Sequence, residues 1–261
     1  MPEGDTLFRA AQTLRLALKD RIVTGFRSSV PELVDANLVG RAITDIEARG
    51  KNLLIFLDDG RALYSHLRME GSWHIYQPGV PWQKPERQAK VVLETQSYIA
   101  VCFNAPTVQL LSAIGVKRHP ILEKLGPDLL KEDFDWLETL RRLRARETSP
   151  VGVALMRQNI LAGIGNVYKS EVLFLCQSDP FRAVSEYSDR DLKTIVQKAQ
   201  ELMRANLQGK PRATRFTLDG QRLWVYGRSG RPCRKCSTTV HMRRQGLEGR
   251  STYWCPKCQV K

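Results

Sequence analysis

Carboxylates are the scarce charge in this sequence: 27 Asp plus Glu stand against 41 Lys plus Arg, a formal charge of +14 over 261 residues. So cationic a surface draws polyanions such as nucleic acid or acidic lipid. Long apolar runs are missing, and none approaches the ~20 residues needed to cross a bilayer. The opening MPEGDTLFRA has acids at Glu3 and Asp5 and no apolar stretch of the kind that a secretory signal or anchor requires, so a cytoplasmic protein is expected. There is no internal repeat and no low-complexity tract, which excludes a solenoid or a disordered scaffold. Cysteines are few, and four of the six fall into two CxxC pairs, while Cys102 and Cys176 lie alone inside apolar stretches. That arithmetic excludes a secreted disulfide framework and fits one metal site plus two reduced, buried thiols.

What is present changes character along the chain. Leu7, Ala10, Ala11, Leu14 and Leu18 recur at three- and four-residue intervals, predicting an amphipathic helix over 3–19 with Pro2 at its mouth, where a missing N–H does no harm. From Ile22 to Phe103, short β-rich runs (IVTGF, AITDIEA, LLIFL, ALYSHL, SWHIY, AKVVLET, YIAVCF) recur about every ten residues between turn signals, the spacing of an antiparallel sandwich or barrel. HPILEKLGPD, over 119–128, reads as a linker. Helical segments follow: DFDWLETLRRLRA, SPVGVALMRQ with Ser149 as N-cap and Pro150 as the first helical residue, NVYKSEVLFLC and DRDLKTIVQKAQELMRANL. The tail over 228–261 holds nine Lys or Arg and one acid, Glu248, and so carries eight of the fourteen net charges. The expected organisation is α+β: 1–118 a helix and β-sandwich, 119–224 a linker and helical domain, and 225–261 a small cysteine-bearing module.

Cys233 and Cys236, then eighteen residues, then Cys255 and Cys258 form two knuckles able to present four thiolates to one tetrahedral Zn2+. Two redox dithiols are the rival, disfavoured because no βαβ context surrounds them. Four cysteines fill the shell, which leaves His241 on the surface. A tail of ~35 residues cannot bury enough core to fold alone, and structural zinc contributes on the order of 10 kcal/mol to such modules.

The opening MPEG, RGK at Arg49 to Lys51, HLRMEG at His66 to Gly71, AGIGNVYKSE at Ala162 to Glu171 and GRSTYWCPKC in the last knuckle, taken in order, resemble the formamidopyrimidine-DNA glycosylase and endonuclease VIII family along essentially the whole chain. The resemblance implies an N-terminal β-sandwich, a helix-two-turn-helix domain and a C-terminal zinc-finger hairpin. It implies a monomer of the bacterial cytoplasm and nucleoid that acts on double-stranded DNA carrying damaged bases or abasic sites, with one structural Zn2+ and no membrane association. Activity would be that of a glycosylase with abasic-site lyase chemistry. Removal of Met1 would expose Pro2 as a secondary amine, and an α-amino group titrates near ~8, so a neutral fraction is available at physiological pH. Glu3, next in sequence, is the candidate general acid/base. Taken alone, Met-Pro-Glu is also simply a good helix start.

Lys51 resembles the family lysine that contacts the damaged nucleotide's phosphate and sugar and assists β-elimination; without the resemblance it is an ordinary lysine at a strand start. Arg250, five residues before Cys255, resembles the finger arginine that grips phosphates and assists δ-elimination. GIGN before a helix offers backbone N–H groups and a helix N-terminus, with Asn166 expected as both cap and phosphate ligand. Glu171 resembles an acid lying on the face of the pocket, although a surface role fits it too. Arg68, Met69 and Glu70 occupy the loop that the family uses to fill the gap left by an extruded base, with Met69 as the apolar wedge, or else as a buried methionine filling a gap at a strand end.

Two departures bear on substrate. The branch that removes 8-oxoguanine carries an Arg and a Phe near the close of the β-domain, where this chain reads FNAPTVQLLS, and it uses a longer loop before the finger than ATRFTLDGQRLWVYG. Both favour the endonuclease VIII branch and oxidised pyrimidines. Oxidised purines and a non-catalytic binder of abasic sites are the rivals. Thr6 stands where many members have Glu, so the secondary acid that this Glu provides must be absent or come from Asp5, and the balance of β- and δ-elimination stays open.

Overall fold

Pro2 lacks an N–H, and Glu3 takes an extended backbone, φ −124° and ψ −176°, so regular helix starts one residue later, as α1 over Gly4–Leu18. Its buried stripe, Leu7, Ala11, Leu14, Ala17 and Leu18, has the spacing expected of one face, and Leu16 projects to solvent from the other. A computed structural model describes residues 2–209 and 211–260. Two compact units emerge, Met1–Lys124 and Leu125–Lys261.

In the first unit, eight strands follow α1: β1 Val23–Ser28, β2 Ile43–Arg49, β3 Asn52–Leu57, β4 Ala62–His66, β5 Ser72–Tyr76, β6 Ala89–Thr95, β7 Ile99–Phe103 and β8 Thr107–Leu111. They pair antiparallel in two four-stranded sheets, ordered β1-β6-β7-β5 and β2-β3-β4-β8. Every β-rich run read from the sequence lies in a strand, whereas β8 lies beyond the last of those runs, which ended at Phe103. Val108 and Leu110 of TVQLL turn to the core on either side of Gln109, and five residues are enough to complete the sheet against β4. Inward residues of both sheets (Val23, Val91, Leu93 and Cys102 from one, Ile43, Ile46, Leu53 and Ile55 from the other) share one core with the leucines of α1. On the outer face of the first sheet, Trp82 from the 77–88 loop packs over Tyr76 and Phe103. A short helix, α2 over Ala113–Lys117, is capped by the Ser112 hydroxyl, which accepts the Gly115 N–H.

The second unit is helical, then a hairpin. It contains α3 Trp136–Arg144, α4 Val151–Ala154, α5 Asn166–Leu175 and α6 Asp189–Ala205, followed by β9 His241–Gln245 paired with β10 Arg250–Trp254. Asp135 caps α3, and a reciprocal Ser188–Asp191 box caps α6. At α4 the N-cap is Pro150, with ψ 138°, not Ser149 as expected. Pro150 forms an isolated bridge with Ala183, and an extended residue in a bridge cannot also be the first residue of a helix. Helix α5 is buried on nearly every side, and it buries Asn166, Lys169, Ser170 and Glu171 together with its apolar residues. A helix that hides this many polar groups must satisfy each of them internally.

Candidate active site

Within the first unit, Pro2 is half-buried at the mouth of α1 and Glu3 is fully buried behind it. The Glu3 carbonyl accepts the N–H groups of Thr6 and Leu7 at 2.9 and 3.2 Å, which fixes the residue at the positive end of the helix, where a carboxylate is favoured. Asp5 is also buried, and the Thr6 hydroxyl donates to its Oδ1 at 3.4 Å. Met1, whose removal the Pro2 chemistry requires, lies outside the described residues.

Lys51 occupies the second place of a two-residue turn between β2 and β3, with Arg49 paired to Asn52 and Gly50 at φ +59°. Glycine suits that first corner of a tight hairpin because it meets no Cβ penalty, and the hairpin places the lysine at the turn. Asn52, beside it, donates from Nδ2 to the Arg49 carbonyl at 2.8 Å and accepts the Tyr64 hydroxyl at 2.7 Å, which stiffens the turn from beneath.

Asn52 pairs across the sheet with His66, and from His66 the chain enters the HLRMEG loop. The Gly71 N–H closes on the Leu67 carbonyl at 2.9 Å, Arg68 takes a left-handed φ of +47°, and a Cβ on Gly71 would come within 2.5 Å of the Leu67 oxygen. The tightness of this turn throws Met69 outward at 68% exposure, so it is not the gap-filling buried methionine that the sequence also allowed. Burial holds the His66 pKa below its ordinary value, and the charges of Arg68 and Lys51 push it the same way. The Arg68 N–H donates to His66 Nδ1 at 3.3 Å, and Met69, the next residue, is the exposed apolar tip of the loop.

In the second unit, the GIGN segment is shaped by Gln158. Its carboxamide accepts the Gly163 N–H at 3.0 Å and donates to the carbonyls of Met156 and Ile164 at 2.9 and 3.0 Å. Gly163 takes φ +111°, and Gly165, not Asn166 as expected, is the N-cap of α5. Asn166 is instead the first residue of the helix; its Nδ2 donates to Ser251 Oγ at 3.4 Å and its Oδ1 accepts from Lys169 Nζ at 3.1 Å. The segment keeps the glycines and the helix start of an anion site, here within a stretch that is buried from Gly163 to Asn166.

Glu171, expected on the face of a pocket, is wholly buried. Its Oε1 accepts the N–H groups of Val225 and Tyr226 at 2.8 and 2.7 Å, and its Oε2 accepts the Trp224 N–H at 2.7 Å and the Thr214 hydroxyl. With both oxygens engaged by the chain before the finger, Glu171 anchors that chain and has no oxygen left to meet DNA. Arg250 opens β10 on the exposed side of the hairpin, where Nε and Nη2 contact Glu248 Oε2, each at 2.8 Å. An exposed pair of this kind is worth little and yields readily to a phosphate.

The four finger cysteines bring their sulfurs within 4.8 Å of one another, with Cys233 to Cys258 at 4.0 Å and Cys236 to Cys255 at 3.4 Å. Four thiolates about 2.3 Å from one tetrahedral ion stand about 3.8 Å apart, so this donor set fits a metal ion. Burial and neighbouring sulfurs raise the Cys255 and Cys258 thiols, while hydrogen bonds from Thr238 hold Cys236 down to about 6, a crowding that a cation held by the four sulfurs would relieve. His241 is exposed, with its ring edge against Trp254, and takes no part in the cluster.

Sequence reasoning missed Lys169, a lysine at 1% exposure that joins Asn166 to the finger strand. Its only advance signal is a cation three residues after Asn166, on the same helical face.

Comparison with known proteins agrees along the full length. Residues 1–107 match the formamidopyrimidine-DNA glycosylase N-terminal domain, and residues 125–217 match the formamidopyrimidine-DNA glycosylase H2TH domain. The chain is 41% identical to the probable endonuclease 8 2 of Streptomyces coelicolor, covering 100% of this chain and 94% of that protein. It is 37% identical to the DNA-(apurinic or apyrimidinic site) lyase Nei2 of Mycolicibacterium smegmatis, covering 100% and 99%. Among solved structures, Lactococcus lactis Fpg (MutM), in complex with DNA containing N7-benzyl-Fapy-dG, superposes with a TM-score of 0.83 at 25% identity over 100% of both chains. From the buried acid behind Pro2 to the cysteine cluster, this chain belongs to the formamidopyrimidine-DNA glycosylase and endonuclease VIII family.

Proposed function

We propose that the protein is a base-excision repair enzyme, a DNA glycosylase with abasic-site lyase activity that removes oxidised pyrimidines from double-stranded DNA. The observation that carries this reading is a fully buried carboxyl group, Glu3, directly behind a half-buried Pro2 at the start of a helix. The names of the full-length relatives, endonuclease 8 and DNA-(apurinic or apyrimidinic site) lyase, support it.

With Met1 removed, the Pro2 nitrogen attacks C1′ of the damaged nucleotide. The N–C1′ bond forms, the glycosidic bond breaks, and the base departs with the bonding electrons and a proton supplied through Glu3. The C1′–O4′ bond then breaks, the ring oxygen takes up through Glu3 the proton that the amine has lost, and the opened sugar is left as a cationic iminium at C1′, which acidifies the C2′ hydrogens. Loss of a C2′ proton expels the 3′ phosphate; a second elimination expels the 5′ phosphate, and water releases the sugar remnant from Pro2. Lys51 contacts phosphate and sugar and assists the first elimination, while Arg250 grips the flanking phosphates and assists the second. Asn166 and the N–H groups around GIGN hold phosphate, and Met69, flanked by Arg68, fills the space left by the extruded base. A structural Zn2+ on Cys233, Cys236, Cys255 and Cys258 stiffens the finger within 225–261, next to the helical part over 119–224, and the domain over 1–118 carries the chemistry.

Preference for pyrimidines rests on the three-residue join between β7 and β8, Asn104 to Pro106, which carries neither the Arg nor the Phe of the purine branch, and on the short stretch before the finger. Borohydride trapping on an abasic duplex tests the chemistry: an adduct at Pro2 is expected, and its absence from protein with a free Pro2 amine would leave only a DNA binder. Excision from thymine glycol should exceed excision from 8-oxoguanine, and the reverse order would transfer the enzyme to the purine branch.

A further inference from the structure

A charged amine buried in a helix core is costly unless every proton finds an acceptor. Lys169, at 1% exposure, sits in the middle of α5 among Val167, Tyr168, Val172 and Leu173, all of them buried. Its Nζ donates to Asn166 Oδ1 at 3.1 Å, to the Ser251 carbonyl at 3.0 Å and to Thr252 Oγ1 at 2.8 Å. The connection continues outward: the Thr252 hydroxyl donates to Gln245 Oε1 at 2.9 Å, and Gln245 Nε2 donates to the Pro180 carbonyl at 2.7 Å. One buried cation thus ties the first turn of α5 to β10, the strand that Arg250 opens.

We propose that Lys169 is a positioning residue, which fixes the Asn166 carboxamide with Nδ2 on the side of Ser251 and holds Asn166 and the Arg250 strand as one phosphate-gripping unit. An asparagine side chain has two orientations that differ only in where its oxygen and nitrogen lie. An ammonium has donors and no acceptor, so it accepts only the orientation that turns Oδ1 inward, and Nδ2 is then presented on the side of Ser251. A phosphate has acceptors and no donor, and Nδ2 is the half of the amide that it needs. Lys169 therefore selects the anion-binding orientation of Asn166 without touching DNA itself. Its bonds to Ser251 and Thr252 act on the strand in the same way, because Arg250 is the adjoining residue. This assignment rests on the reading of Asn166 and Arg250 as phosphate contacts.

Lys169→Gln tests it, because a glutamine can donate or accept and no longer dictates the amide orientation, whereas Lys169→Arg keeps a donor-only cation. The probe is a duplex carrying a tetrahydrofuran in place of one nucleotide, which is bound but not cleaved through C1′. Lys169→Gln should weaken binding about tenfold, the effect of losing a hydrogen bond to a charged group, and Lys169→Arg should recover most of it. The slope of log K against log salt should fall by about 0.9 in Lys169→Gln, one phosphate contact. In an Asn166→Ala background the Lys169→Gln loss should shrink to about threefold or less, because the residue acts largely through that amide. Zinc content and melting temperature accompany each measurement, with Lys169→Met as a second substitution. Additive losses, or an unchanged slope, would overturn the assignment; so would loss of zinc or of the folded state in both Gln and Met variants, which would make Lys169 a folding residue. A wild-type protein that shows no preference for the tetrahydrofuran duplex would instead defeat the DNA-lesion reading, and the assignment with it.

Discussion

Glutamate almost never loses all contact with solvent, yet Glu3 does so while it adjoins the one residue able to become a secondary amine. A buried acid next to a nucleophile supplies or takes a proton without competition from water, and general acid–base help of this kind is worth about 10²–10⁴ in rate. Glu3→Gln keeps the shape and removes the proton chemistry. Base excision should therefore fall by about 10²–10⁴, while affinity for an abasic duplex stays within about threefold, as read by single-turnover kinetics and a binding titration. Excision at the wild-type rate would remove Glu3 from the mechanism. Other side chains were less transparent. The four cysteines were legible because their spacing alone singles them out, whereas Pro2, Glu3 and Lys51 stood out only through the family resemblance, since by themselves they read as a helix start and a strand-start lysine. Asn166 was misplaced by one residue because glycine at the preceding position takes the cap. Glu171 was read as facing a pocket because no sequence pattern reveals that four donors from residues 214–226 converge on it. Its replacement gives a second test: Glu171→Gln turns an amide N–H toward groups that themselves donate. The change should cost about 3 kcal/mol and lower the melting temperature by on the order of 10 °C, measured by scanning calorimetry. An unchanged melting temperature would mean that the anchor is dispensable.

At the scale of elements, the periodicity that specifies α1 survives because the helix buries one face, whereas strands such as β3 and β7, buried on both faces, are marked by short apolar runs between turn signals. β8 escaped notice because TVQLL is short and follows a turn, and its identity depends on β4 lying open beside it. The HLRMEG loop shows how an element converts sequence into placement. Gly71 admits a close approach to the Leu67 carbonyl, Arg68 takes the left-handed conformation, and Met69 is carried to the tip. Met69 has little to lose in folding energy, because it is already exposed. Met69→Ala should leave the melting temperature within about 1 °C of wild type, in keeping with a surface substitution. Excision from a duplex should nonetheless slow about tenfold or more, since filling the vacated stack offsets a cost of a few kcal/mol. Cleavage of a single-stranded abasic substrate, which needs no such filling, should be unchanged. Equal losses on both substrates would place Met69 outside the DNA gap.

For the whole molecule, charge and titration set the working conditions. His66, His74 and His119 all lie in the first unit, and burial lowers the pKa of each. For a histidine whose folded pKa is depressed, stability is complete above the unfolded value near ~6.5 and is lost as pH falls through the folded value, because the unfolded chain takes up the proton first. The first unit should thus lose stability as pH falls below about 6.5, and a variant with all three histidines replaced by Gln should show a flatter melting temperature on that acid side. Equal slopes would assign the acid sensitivity to carboxylates. The net charge of +14 acts over a longer range, and eight of those charges reside in the tail over 228–261. Each phosphate neutralised by the protein adds about 0.9 to the steepness of log K against log salt, so contacts from Lys51, Arg68 and Arg250 predict a slope steeper than about −2 for an abasic duplex. Chelation of the metal should remove the Arg250 contribution along with the folded hairpin, and the slope should become shallower by at least about 0.9 while α1 and the two sheets stay folded. A slope that survives verified metal loss would show that the finger's cations meet no phosphate, and the grip on DNA would then fall to the first unit and the GIGN turn.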